Sequence, residues 1–206
     1  MRSPGAFVSK WSPLCRTAVA ALCAVTLAVL LTPIVSADEW DKKTIVTFNS
    51  PVEIPGKVLP AGTYVFKLLD STSNRNIVQI YDKDEKHLIA TMLALPDYRL
   101  KPSDKPVLAF EERPSGSPEA LRAWFYPGDN FGQQFVYPHK RAVELAQRTH
   151  QNVLSMRDDM TRNMASKATS SSDANIQALQ NADVTGVGPS GEPVDVVVII
   201  AAKPEN

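Results

Sequence analysis

Residues 124–138 read Trp124-Phe125-Tyr126-Pro127-Gly128-Asp129-Asn130-Phe131-Gly132-Gln133-Gln134-Phe135-Val136-Tyr137-Pro138, two aromatic runs joined by a polar turn. Pro127-Gly128 suits the centre of a type II turn, where glycine supplies the positive φ that other residues resist. With strands on either side, period-two alternation sets Trp124 and Tyr126 on one face, and Phe131, Gln133, Phe135 and Tyr137 on one face of the next strand. Such a row walls the inside of a small β-domain. With Asp129, Asn130 and Gln133 beside it, the same row also suits stacking on a sugar ring and bonding its hydroxyls. Trp124, Tyr126, Asp129, Asn130, Gln133 and Tyr137 are therefore the candidate ligand-binding residues. The inward wall is the reading that aromatic burial favours.

Upstream, the chain is punctuated like β-structure. Strand-type runs occur at 44–48, 52–54, 63–68, 77–81, 88–95, 107–112, 121–126 and 131–137, and prolines, glycines or charged turns separate most of them. Short strands at this spacing predict a mainly β fold, an antiparallel sandwich or barrel. Pro138 suits the first position of a helix over about 138–149. Ala142, Leu145 and Ala146 fall on one face of it, at the spacing that packs against a sheet. Lys140, Arg141 and Arg148 then read as a solvated basic face.

Beyond Met156 the composition changes. Residues 157–192 lack aromatics and are rich in Ser, Thr, Asn, Asp and Ala, which predicts a flexible linker. One short helix is expected within it, capped by Asp173, with Ile176 and Leu179 on one side. Gly186-Val187-Gly188-Pro189-Ser190-Gly191 matches a dinucleotide-binding spacing by letters, but no helix follows it, so it reads as linker. In 193–206, Val194 to Ile200 is a strand-type segment that can return to its own sheet or join a second copy of the chain. A linker of this length spans about 33 Å.

The first 37 residues carry only Arg2, Lys10 and Arg16 as charges, an uncharged apolar run from Thr17 to Leu31, and the small residues Ser36 and Ala37. That pattern predicts a secretory signal peptide over 1–37, cleaved after Ala37. The run is short of the ~20 apolar residues of a spanning helix. The expectation is Sec-type export to the periplasm or beyond, with no membrane span after cleavage. Cys15 and Cys23, the two cysteines of the chain, both fall in this segment. The remainder would be thiol-free and slightly acidic, which excludes cysteine catalysis and Cys–zinc centres from it. With 22 basic and 22 acidic residues in the whole chain, no nucleic-acid partner is indicated.

Catalytic spacing is not visible. Of His87, His139 and His150, the last two lie about 16 Å apart along a helix, too far to share a metal. Asp82 and Asp84 sit in a charged turn, but Lys86 stands where a calcium loop needs an oxygen ligand. Glu111 and Glu112 are adjacent on a strand and point to opposite faces. No cofactor and no metal is expected.

Two blocks, Leu59-Pro60-Ala61-Gly62-Thr63-Tyr64-Val65-Phe66 and the 124–138 segment, resemble a group of exported bacterial proteins without assigned activity. These share a Pro-Ala-Gly-Thr-Tyr strand start and a Trp-Phe-Tyr-Pro-Gly-Asp, Gly-Gln, Phe-Val-Tyr-Pro block followed by a basic helix. The resemblance covers about 38–156 and implies a secreted β-rich domain, with no catalytic residue to carry over. The expected function is that of a noncatalytic envelope or extracellular interaction protein with a protein partner. The alternative is a glycan partner, met by a carbohydrate-binding module or a weak glycan-active enzyme.

Overall fold

A computed structural model of the chain describes residues 42–69, 76–111 and 117–201. The expected signal peptide, both cysteines, Glu112 and residues 202–206 lie outside the described residues. The chain is mainly β, as its sequence predicts. Nine strands form one sheet: β1 Lys43–Phe48, β2 Val52–Ile54, β3 Lys57–Leu59, β4 Gly62–Leu69, β5 Asn76–Asp82, β6 Leu88–Tyr98, β7 Val107–Glu111, β8 Glu119–Phe125 and β9 Phe131–Phe135. Their order is β1-β4-β5-β6-β9-β8-β2-β3, with β7 on the other edge of β8. A second sheet orders β10 Tyr137–Pro138, β11 Val153–Met156, β12 Val184–Val187 and β13 Pro193–Val194.

The first sheet is open, running from β1 to β3, so it is not a closed barrel. It nevertheless wraps a common core. Val46 and Phe48 of β1, Phe66 of β4, Met92 of β6, Trp124 of β8 and Leu59 of β3 belong to one buried cluster. Strands from both ends of the path meet there only if the sheet curls. The Trp124 ring lies 6.0 Å from the Phe66 ring, and its indole N–H donates to the Thr44 hydroxyl at 3.2 Å. Helix α1 (His139–Thr149) adds Ala142, Leu145 and Ala146, the three residues its spacing predicted, to the same core. Pro138 caps this helix from outside its first turn and also pairs with Met156 in the second sheet.

One residue of the expected basic face is only partly solvated. Arg141 donates from Nε and Nη2 to the two carboxylate oxygens of Glu53 at 2.5 and 2.7 Å, and it also meets Glu144. Glu53 is buried on β2, so this fork ties α1 to the sheet. The bonds to Glu53 hold the Arg141 guanidinium above its already high pKa, against the opposing effect of its burial. Arg141→Met removes both bonds from the Glu53 carboxylate. Because Arg141 is partly exposed, the expected cost is about 2 kcal/mol, below the 3–5 typical of a fully buried pair. Urea denaturation measures it, and an unchanged midpoint would show that the fork contributes nothing.

Strands β5 and β6 are covered on both faces. Val78, Ile80, Met92 and Ala94 face the first core, whereas Ile77, Leu93 and Leu95 belong to a second one. Their partners there are Leu154 and Met156 of β11, Met164 of α2 (Thr161–Met164), Ile176 and Leu179 of α3 (Ala174–Gln180), and Ile199 of α4 (Val196–Ala201). The segment 157–192, expected as a flexible linker, is thus a built layer. It contains a 3-10 turn (Asp158–Met160), two helices and a strand. The helix expected at 174–180 forms, with the Asp173 carboxylate accepting from the Asn175 amide at 2.8 Å. Composition misled because a few well-placed apolar residues suffice when a sheet already offers an apolar face.

The glycine-rich stretch is equally ordered. Gly188 to Glu192 closes the β12–β13 turn, with the Gly188 amide donating to the Glu192 carbonyl at 2.8 Å. A Cβ on Gly186 would sit 2.6 Å from the Val194 carbonyl oxygen and would also strike the Ile199 side chain. The expected strand from Val194 to Ile200 is also corrected: β13 ends at Val194 and a helix follows. The Asp195 carboxylate accepts from the Val197 amide at 2.8 Å and starts that turn. Ile199 then buries itself over Gly186, so tertiary burial overrides the β-propensity of Val and Ile.

Candidate functional site

The aromatic segment folds as its turn residues predict. Gly128 has φ +83°, and the Asp129 amide donates back to the Tyr126 carbonyl at 3.3 Å, closing the Pro127-Gly128 turn. Beyond it, Phe125 pairs with Gly132 and Trp124 with Gln133 across the β8–β9 ladder. A Cβ on Gly132 would come within 2.7 Å of the Trp124 carbonyl oxygen, which is why this position has no side chain.

The six candidate residues separate into two groups. Trp124 and Tyr137 are only 1% exposed and belong to the first core. The Tyr137 hydroxyl donates to the Leu121 carbonyl at 2.8 Å. Neither ring can stack on a ligand, so both leave the candidate set. Gln133 is buried too, and its side-chain carbonyl accepts from the Asn76 amide at 2.7 Å. That bond spans β6 beside Pro96, the residue that pairs with Gln133. The sequence placed a strand end at Pro96, but β6 continues to Tyr98. Past Ala94 its pairing is with β9 alone, so the missing proline N–H is tolerated there.

Tyr126, Asp129 and Asn130 do gather at the surface. Asp129 forms an ion pair with Lys42, whose ammonium also lies 5.8 Å from the Tyr126 ring centre and 5.5 Å from that of Phe131. A cation held by two rings and a carboxylate is a stable arrangement. The hollow it leaves among Lys42, Tyr126, Phe131 and Gln133 has room for about one water molecule. The loop after β6 joins this turn: the Arg99 amide donates to the Asn130 carbonyl at 2.5 Å, and the Gly128 amide to Ser103 at 2.8 Å. Tyr98 lies 5.4 Å from Phe131, ring centre to ring centre. Tyr98 is 54% exposed and Leu100, two residues on, is 73% exposed. The sequence missed these two, since one follows Pro96 and the other lies in a charged loop.

The histidines have local roles. The His139 ring nitrogen Nδ1 bonds the Ser155 hydroxyl at 3.0 Å, and His150 is the left-handed residue that ends α1. Asp82 accepts from the His87 ring at 2.7 Å and from the Lys86 amide at 2.7 Å, which closes the turn where a calcium loop was considered. The His87 bond is the main cause that holds the Asp82 carboxyl below its usual pKa. Glu85 in the same turn reaches Lys43 and Lys67, and these bonds lower its pKa as well. Among the described residues no group of three or more His, Cys, Asp or Glu is placed to hold a metal. No described helix is long and apolar enough to cross a membrane.

Comparison with protein-family models, with curated proteins and with solved structures finds no match to this chain.

Proposed function

We propose that the chain is an exported, noncatalytic β-domain that acts as an envelope or extracellular interaction protein. Export rests on the leader pattern of residues 1–37 and on the resemblance of the 59–66 and 124–138 blocks. The observation that carries the interaction role is the surface around the 126–130 turn, where exposed Tyr98 packs on Phe131 and exposed Leu100 follows two residues later. It presents apolar side chains on a surface that hydrogen bonds hold in shape.

Sequencing the N-terminus of protein recovered from the cell envelope tests the first half. Asp38 is the residue expected at that terminus, and a full-length chain retained inside the cell would overturn export. For the second half, an envelope component crosslinked to the chain is expected to be lost on Leu100→Glu, with the fold intact by circular dichroism. Substrate turnover without any partner would overturn it.

A second reading is a glycan site at Tyr126, Asp129 and Asn130, supported by the half-exposed Tyr126 ring beside two polar residues at one turn. On a glycan array, Tyr126→Ala and Asn130→Ala are each expected to lower binding about tenfold, the scale of one lost hydrogen bond or stacking contact. Array binding that survives both substitutions removes this site.

A further inference from the structure

A concavity of about 220 Å³ borders the start of β6. Leu88, Ile89, Ala90 and Thr91 follow one another in that strand and all line it, although successive side chains of a strand point to opposite faces. A hollow bordered in this way lies along the edge of the strand rather than on either face. One edge of β6 is taken by β5, none of whose described residues lines the hollow. On the other edge the ladder with β9 begins only at Ala94. The concavity therefore occupies a place beside β6 that no described strand fills.

Ile89 is the residue that this gap leaves outside the ladders. The register with β5 passes from Ala90 opposite Ile80 directly to Leu88 opposite Tyr81, so Ile89 is the extra residue of a β-bulge. Its carbonyl oxygen accepts instead from the Lys57 ammonium at 3.3 Å, in an exposed contact. That carbonyl is therefore open to a donor reaching it from the hollow. Lys57 starts β3, the last strand of the sheet path, and Gly56 before it takes φ +83° in the hairpin turn. The far wall is the end of α2 with the residues that follow it. Thr91 is wholly buried, so the accessible part of the edge is Leu88 and Ile89.

An unpaired strand edge is a template for another strand, because its amides and carbonyls are spaced to pair with one. The lining selects among such strands. Lys57 and Lys167 are exposed, and among the described residues that line the hollow none is acidic. Leu88 and Ile89 are half-buried and supply apolar wall. A cavity of ~150 Å³ holds benzene, so this volume admits about one medium-sized side chain and the backbone that carries it. We infer that the start of β6 receives an extended segment of a protein partner by strand addition. The segment pairs along Leu88 and Ile89, sets an acidic residue against Lys57 and Lys167, and rests an apolar neighbour on the Leu88 and Ile89 side chains. This site extends the interaction role to the opposite end of β6 from Tyr98, and it stands whether or not the surface at Tyr98 meets a partner.

The probe is an acetylated, amidated peptide of sequence threonine-valine-glutamate-valine-threonine, titrated into the purified full chain and followed by calorimetry and amide NMR. Binding at millimolar concentration or below is expected, with the largest shift changes at Leu88 to Ala90. Methylating the two valine nitrogens removes backbone donors and leaves every side chain and charge in place, and it is expected to weaken binding about tenfold or more. Lysine in place of the central glutamate should weaken binding to a similar extent, and Lys57→Glu is expected to reverse that preference. Lys57 is exposed, so this variant keeps the fold, which circular dichroism checks. No binding at millimolar concentration, equal binding of the methylated peptide, an unchanged preference in Lys57→Glu, or shifts confined to the Tyr98 end of β6 would each overturn the assignment. A chain that sediments as a dimer, with Leu88 to Ala90 already protected from hydrogen exchange, would give the edge to a second copy and overturn it as well.

Discussion

Leu179→Ala is expected to lower the stability of the protein by about 2–5 kcal/mol, the cost of emptying a fully buried leucine site. Leu179 is on α3, inside the stretch whose composition resembles a linker, and it is completely buried against the second core. In a flexible segment the same substitution stays within about 0.5 kcal/mol. The two descriptions of residues 157–192 therefore differ several-fold in a single urea titration. For a domain of this size the expected loss is also about 4–20 °C in melting temperature, at roughly 2–4 °C per kcal/mol. A variant that unfolds at the parent's midpoint would mean that α3 does not cover Ile77 and Leu93.

Trp124→Ala is expected to cost about 3–5 kcal/mol, the range for a large aromatic in a core. The indole fills the space between β8 and β4, touches Phe66, and gives its N–H to Thr44. Removing it opens a cavity and leaves the Thr44 hydroxyl without that donor. Trp124→Phe retains part of the volume and should cost distinctly less. The measurement is chemical denaturation followed by circular dichroism, since the fluorescence of this residue is itself removed. A ligand-stacking tryptophan would behave otherwise, losing binding while leaving the midpoint in place.

How much of this was legible in the sequence follows from what each signal reports. Alternation and turn residues are local, and so the strands, the Pro127-Gly128 turn and the face of α1 were readable. Strand β3 was not read, because its three residues follow Gly56 with no alternation to mark them. The ambiguity of the aromatic row also had a physical source. Period two says which residues share a face, but not whether a second layer covers it.

That second layer was the main omission, yet a trace of it was present. Leu88 to Leu95 reads as a nearly continuous apolar run, which is the mark of a strand covered on both faces. A one-sided strand would have alternated. The run required a cover from somewhere, and the later part of the chain was the material left to supply it. Thr91, the polar residue within that run, was likewise a visible exception, and it is wholly buried. Exposed Tyr98 and Leu100 left no comparable trace, since exposure at a loop depends on what surrounds it in space.

The two-sided burial of β5 and β6 also bears on how the protein is made. One face of these strands looks into the first core, but the other waits for Ile176, Leu179 and Ile199. During synthesis the apolar side of Ile77, Leu93 and Leu95 emerges well before its cover exists. Contacts of such high sequence separation slow folding and prolong the exposure of sticky intermediates. A chain interrupted before its last helices therefore displays an uncovered apolar sheet, a surface that chaperones and proteases recognise.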